Sequence, residues 1–217
     1  MLDELMNVVN AAEFEEFGWV RLGGVEWQGE DAVLSLVLSQ QDEHEQQWQI
    51  RCHSVREQRI DHSPVYNNVW LELEDDHVLL WPHVLPQVEL YFRGKSAKRI
   101  EVLGTLWEKH LELVQGWFPF DRFLKGGPPA MKHLDGGFGL FADGPEPLIR
   151  AYAEVLEDYA ISASTLPPRA PRVPMRWDGQ RWIEFAEPWA GGKDRMHVLL
   201  LGQTYFVARS FEEKRIV

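Results

Sequence analysis

Between Val69 and Val114 the apolar residues repeat first every two positions and then every three or four, and this change of period constrains the fold more than any other feature. Val69, Leu71 and Leu73 alternate with Trp70, Glu72 and Glu74, so one face of a strand is aliphatic and the other carries two carboxylates beside a tryptophan. Asp75 and Asp76 tolerate the backbone angles of a tight turn. The run His77, Val78, Leu79, Leu80, Trp81 has almost no polar break and predicts a central strand buried on both faces, ended by Pro82. Val88, Leu90 and Phe92 then alternate with Glu89 and Tyr91 in a third strand closed by Gly94. From Ala97 to Val114 the steps become helical. Ile100, Leu103, Trp107, His110 or Leu111, and Val114 predict a helix laid on the sheet through that stripe and stopped by Gly116.

The preceding residues read in the same way. Asp3 is placed to cap a first helix over 3–16, with Leu5, Met6, Val9 and Ala12 on one side and Gly18 beyond its end. Trp19–Trp27 and Ala32–Leu38 flank the polar turn Gln28-Gly29-Glu30-Asp31, which predicts a hairpin, with a bulge at Gly23-Gly24. Trp48, Ile50 and Cys52 alternate with Gln49, Arg51 and His53 in another strand, and Arg56–Pro64 reads as a connection.

After the helix, Trp117-Phe118-Pro119-Phe120 with Phe123-Leu124 is too irregular for a strand and is expected to seal the end of the core. Lys125-Gly126-Gly127-Pro128-Pro129 interrupts both helix and sheet, which suggests an N-terminal acidic domain over 1–126 and a smaller C-terminal region over 127–217, either separate or packed on the first as one unit. Within that region Pro145 and Pro147 open a helix with Leu148, Tyr152, Val155 or Leu156, and Tyr159 on its apolar side. The prolines of Leu166–Pro174 imply an extended strap. Two hairpins follow, Met175–Trp177 with Arg181–Phe185 and His197–Leu201 with Tyr205–Ala208. The fold class expected is α+β, a mainly antiparallel sheet over 19–94 with packed helices, plus the C-terminal α+β region.

Composition narrows the function classes. A hydrophobic content of 45% supports a real core. No apolar run has the length of a membrane span, the first residues lack the basic and apolar segments of a secretory signal, and a lone cysteine cannot form an internal disulfide, so a cytoplasmic protein is expected. Residues 1–94 hold 18 acidic and 5 basic side chains, a net −13, whereas residues 95–217 hold 16 and 17, a net +1. Such an acidic half repels nucleic acid, for which only the series Arg169, Arg172, Arg176 and Arg181 speaks.

Specific chemistry is weakly signalled. Gly136-Gly137-Phe138-Gly139 does not match G-x-G-x-x-G, no Gly-Lys-Ser/Thr follows, and prolines remove amide donors from the next helix, so a structural turn is expected rather than a phosphate cradle. His77, His83 and Asp75, with Asp76 and either Asp61-His62 or His53, are the residue types of a zinc or iron site, but no histidine pair stands at helical spacing; no metal or other cofactor is expected. Cys52 falls on the apolar side of its strand, where a thiol acts as a small hydrophobe. His110 on the helix reads as a core histidine bonded to backbone.

These features favour a non-catalytic binding or regulatory protein. It would present Trp70, Glu72, Glu74, Asp76, Glu89 and Tyr91 as an acidic, aromatic surface to a basic protein partner. By charge and size alone, an immunity protein facing a basic toxin has this profile. The competing expectation is a small enzyme, a metal-assisted hydrolase with a histidine and carboxylate cleft between the two regions.

Overall fold

The computed structural model describes residues 2–40, 45–61, 71–125, 134, 137–168, 175–177, 182–184 and 195–216. The fold is α+β, and among the described residues every paired strand is antiparallel. The chain divides into two compact units, Met1–Leu80 with Val173–Val217, and Trp81–Arg172. This differs from a division near residue 126, because the last strands of the chain pair with strands of its first third. No helix among the described residues is long and apolar enough to cross a membrane.

Among the described residues the first unit holds two four-stranded sheets and a two-stranded ladder. Strand β1 (Gly18–Gln28) pairs with β2 (Asp31–Gln40), and β2 with β3 (Gln46–His53), as the alternation predicts. The register of the β1–β2 hairpin shifts between Leu22 and Gly24, the anticipated bulge. The fourth strand of this sheet is β13 (Ser210–Arg215), which pairs with β3 and which sequence patterning missed. The second sheet has the order β4 (Glu57–Arg59), β12 (Thr204–Ala208), β11 (His197–Leu201), β5 (Leu71–Glu74). Arg56–Pro64 is thus not merely a connection, since its first residues supply β4. A separate two-stranded ladder pairs β9 (Met175–Trp177) with β10 (Trp182–Glu184), as predicted.

One hydrophobic core joins the two sheets. Leu34, Leu36, Leu38, Trp48, Ile50 and Phe211 come from the first, and Leu71, Leu199, Leu201 and Phe206 from the second. All ten residues of β11 and β12 are buried, which requires a neighbouring strand on each side and cover on both faces. A central hairpin of this kind cannot form the core of an independent C-terminal region. The expected first helix is two pieces, α1 (Asp3–Val9) and α2 (Ala12–Phe17), and Leu2 rather than Asp3 holds the first cap position. The cap function is supplied from a distance: Glu213 on β13 accepts the backbone N–H groups of Glu4 and Leu5, both at 2.8 Å. The expected C-terminal stop at Gly18 is where the chain enters β1.

The second unit contains α3 (Trp81–Val84), β6 (Gln87–Arg93), α4 (Arg99–Val114), β7 (Phe138–Pro145), α5 (Glu146–Asp158) and β8 (Ser162–Leu166). Strand β6 lies between β7 and β8, so the sheet expected over 19–94 is in fact parts of three sheets. The buried residues of α4 are Val102, Leu106, His110 and Val114, a stripe rotated from the expected one, and Ile100 and Trp107 face solvent. Pro147 stands in the first turn of α5, and Leu148, Tyr152, Val155 and Leu156 are buried as anticipated. Phe118 and Phe123 are buried edge to face at 5.4 Å, sealing the core end that the aromatic cluster predicted.

Candidate functional site

The acidic strand β5 is the last strand of its sheet. Among the described residues it pairs with β11 alone, with Leu201 opposite Leu71, Leu200 opposite Glu72, Leu199 opposite Leu73 and Val198 opposite Glu74. Leu71 and Leu73 belong to the core, so Glu72 and Glu74 occupy the other face, with Glu72 exposed. Asp75 and Asp76 are also exposed, in the bend that follows. This local sequence places four carboxylates at the rim of one sheet.

Their histidine partners differ in environment. Asp75 contacts Nδ1 of His197, whose side chain is buried at the start of β11. His77 accepts the backbone N–H of Leu79 on Nδ1 at 3.1 Å, which starts a short 3₁₀ turn over Val78–Leu80. The expected strand over His77–Trp81 is therefore this turn followed by α3, with Leu79 and Leu80 buried. A five-residue apolar run has no period that separates a buried strand from a buried helical turn, and the histidine cap decides the matter. Burial holds His77 below its ordinary imidazole range, while Glu74, Glu72 and Asp76 pull in the opposite direction. All three expected carboxylates of this unit thus act on His77 through their charge.

Glu89 and Tyr91 lie in the other unit, on β6. The Tyr91 hydroxyl donates to Glu89 Oε2 at 2.7 Å. Glu89 stands opposite Asp143 of β7, and Asp143, nearly buried, takes Lys125 Nζ at 2.6 Å. Leu124 bridges to Ala142, which sets the residues before Lys125 along β7. Lys125, Asp143, Glu89 and Tyr91 form a polar row across neighbouring strands, able to bind and orient a polar group through both signs of charge. Lys125 and Asp143 were not anticipated. Asp143 precedes Gly144-Pro145, and in the sequence it reads only as an acid before a helix.

Trp70 and His62 fall outside the described residues, as do Gly126–Pro129, Gly136, Arg169, Arg172 and Arg181. His83 lies in α3, in the second unit, whereas Asp75 and His77 lie in the first. Among the described residues no three His, Cys, Asp or Glu side chains come together as a metal-binding group. His53 faces Asp31 through Nδ1 and Glu212 through Nε2, both at 3.2 Å, with Asp31 also accepting the Ser54 N–H. Glu212 is not aligned to accept a hydrogen bond from that nitrogen. Cys52 is buried on β3, and burial pushes its thiol well above the ordinary range, with Asp31 adding to the effect. His110 is a core histidine bonded to the Phe118 carbonyl, as its place on the helix suggests. Comparison with family models, curated proteins and solved structures finds no match.

Proposed function

We propose that this protein is a non-catalytic binding or regulatory protein that turns the acidic rim at β5 to a basic protein partner in the cytoplasm. The observation carrying this reading is the run of Glu72, Glu74, Asp75 and Asp76 along β5 and the bend that follows it, at the last described strand of a sheet. A rim of carboxylates speeds encounter with a basic surface and sets the register of docking, while an outer strand has backbone groups that a partner strand can pair. The net −13 of residues 1–94 extends the same field around that rim.

The test is retention of cytosolic proteins on the purified chain, eluted with a salt gradient and compared among charge reversals. A basic protein held at stoichiometric yield should elute with salt and be held less by Glu72→Lys and Asp76→Lys than by Glu16→Lys, a reversal at another exposed position. Equal retention by all three variants would remove the β5 rim from the function.

A further inference from the structure

Helix α4 carries two apolar stripes, and only one of them is buried among the described residues. Val102, Leu106, His110 and Val114 are buried, whereas Ile100, Trp107 and Leu111 are 79%, 50% and 37% exposed. Gly104 completes the outer stripe, since positions 100, 104, 107 and 111 fall on one side of a helix. A Cβ added at Gly104 would meet nothing within 4 Å. Among the described residues no contact therefore accounts for a residue that weakens a helix relative to alanine. Between Ile100 and Trp107, the missing side chain leaves a notch that lets a second helix approach closely.

A parallel acidic line accompanies this stripe. Ile100, Trp107 and Leu111 are each followed by a glutamate, and Glu101, Glu108 and Glu112 share one exposed flank. Glu101 and Glu112 hold Lys98 and Lys109 at 2.9 and 2.8 Å. Ion pairs so exposed to solvent contribute little and exchange readily for other partners.

We propose that this face of α4 is the docking site for an amphipathic helix of a partner protein, with an apolar side for Ile100, Gly104, Trp107 and Leu111 and lysines or arginines for the three glutamates. Charge complementarity favours this occupant over a second copy of the chain. An antiparallel twofold pairing of α4 with itself sets each flank against the same flank of its mate, glutamate facing glutamate, and a parallel pairing aligns the two helix dipoles unfavourably. This surface belongs to the second unit and does not depend on the reading of the β5 rim.

The test uses a fluorescent leucine and lysine peptide of about 18 residues, long enough to form a helix and patterned with one apolar stripe. A control peptide of the same composition has that pattern scrambled. The patterned peptide should bind the full chain saturably, with affinity lowered about tenfold or more by Trp107→Ala. Combined reversal of Glu101, Glu108 and Glu112 to lysine should weaken binding and flatten its salt dependence. Gly104→Leu should raise thermal stability and yet weaken binding, because it improves the helix while filling the notch. Four results overturn the proposal: no binding, equal binding of the scrambled peptide, binding lost on Glu72→Lys but unchanged by the α4 variants, and self-association abolished by Trp107→Ala. The third assigns the peptide to the β5 rim, and the fourth makes the occupant a second copy.

Discussion

His110 and Tyr152, on two helices of the same unit, share a buried hydrogen bond of 2.7 Å, and its direction follows from the ring's other nitrogen. Nε2 lies 2.8 Å from the Phe118 carbonyl, which can only accept, so Nε2 carries the proton and Nδ1 accepts from the tyrosine. Burial raises the Tyr152 hydroxyl above its usual range and keeps it a donor. It also holds His110 below its ordinary value of 6.5, the Phe118 bond opposing only in part.

A dependence of stability on pH follows with a definite sign. The unfolded histidine binds its proton near pH 6.5 and the folded one only at lower pH. The contribution is complete above 6.5 and is lost as pH falls from there toward the lowered folded value. Urea unfolding between pH 7.5 and 5 should show stability falling with pH, less steeply in His110→Gln. His77 shifts in the same direction, so some slope remains in that variant. Tyr152→Phe, which leaves Nδ1 without this donor in a buried site, should cost about 1–3 kcal/mol.

Glu213 caps α1 from the last strand, so its effect should be local as well as global. Glu213→Ala is expected to cost about 1 kcal/mol, the worth of a side-chain cap at a helix start. Hydrogen exchange at the amides of Glu4 and Leu5, its two donors, should accelerate more than exchange in β2. Uniform acceleration would show that the carboxylate contributes only to overall stability.

Gly144 is required by a close approach rather than by its backbone angles. An added Cβ would lie 2.6 Å from the Phe123 ring, nearer than two carbons can sit without displacement. Gly144→Ala should therefore destabilise by about 1–3 kcal/mol, as overpacking does, and Phe123→Leu should recover part of that loss in the double variant.

Cys52 should be inert in the native protein. Its thiol is buried and held in the neutral form, so a thiol reagent should react only as fast as the chain unfolds. Addition of denaturant should release one equivalent of reactive thiol. Rapid modification without denaturant would place Cys52 nearer solvent than its position on β3 implies.

Short-range patterns were legible wherever one strand or helix decides them. The Gln28-Gly29 hairpin, the bulge at Gly23-Gly24, the strands around Trp48 and Leu90 and the proline start of α5 all follow from period and turn chemistry. So does Cys52 on the inner side of its strand. His77–Trp81 failed because so short a run has no readable period. β13, with Phe211 as its one buried side chain, has too little apolar alternation to declare itself.

The candidate sites divide in the same way. Tyr91 and Glu89 are two apart on one strand, so their meeting on one face is written in the alternation. Glu72, Glu74 and Asp76 are similarly local. No local signal joins Lys125 to Asp143, or Asp75 to His197, because each contact depends on strands brought together from distant parts of the chain.

By itself the sequence determined those elements that carry a clear period or turn signal and the acidic character of the first half, since period, turn residues and charge act over a few positions. Only the tertiary structure decided which strands pair, which stripe of α4 is buried and where the units divide. The physical reason is that α4 has two sets of apolar residues at helical spacing, and β5 offers an edge that many strands could match. Local energy is nearly indifferent to those choices. Burial of β11 and β12 between β4 and β5, and of Leu106 and His110 rather than Trp107, selects among them.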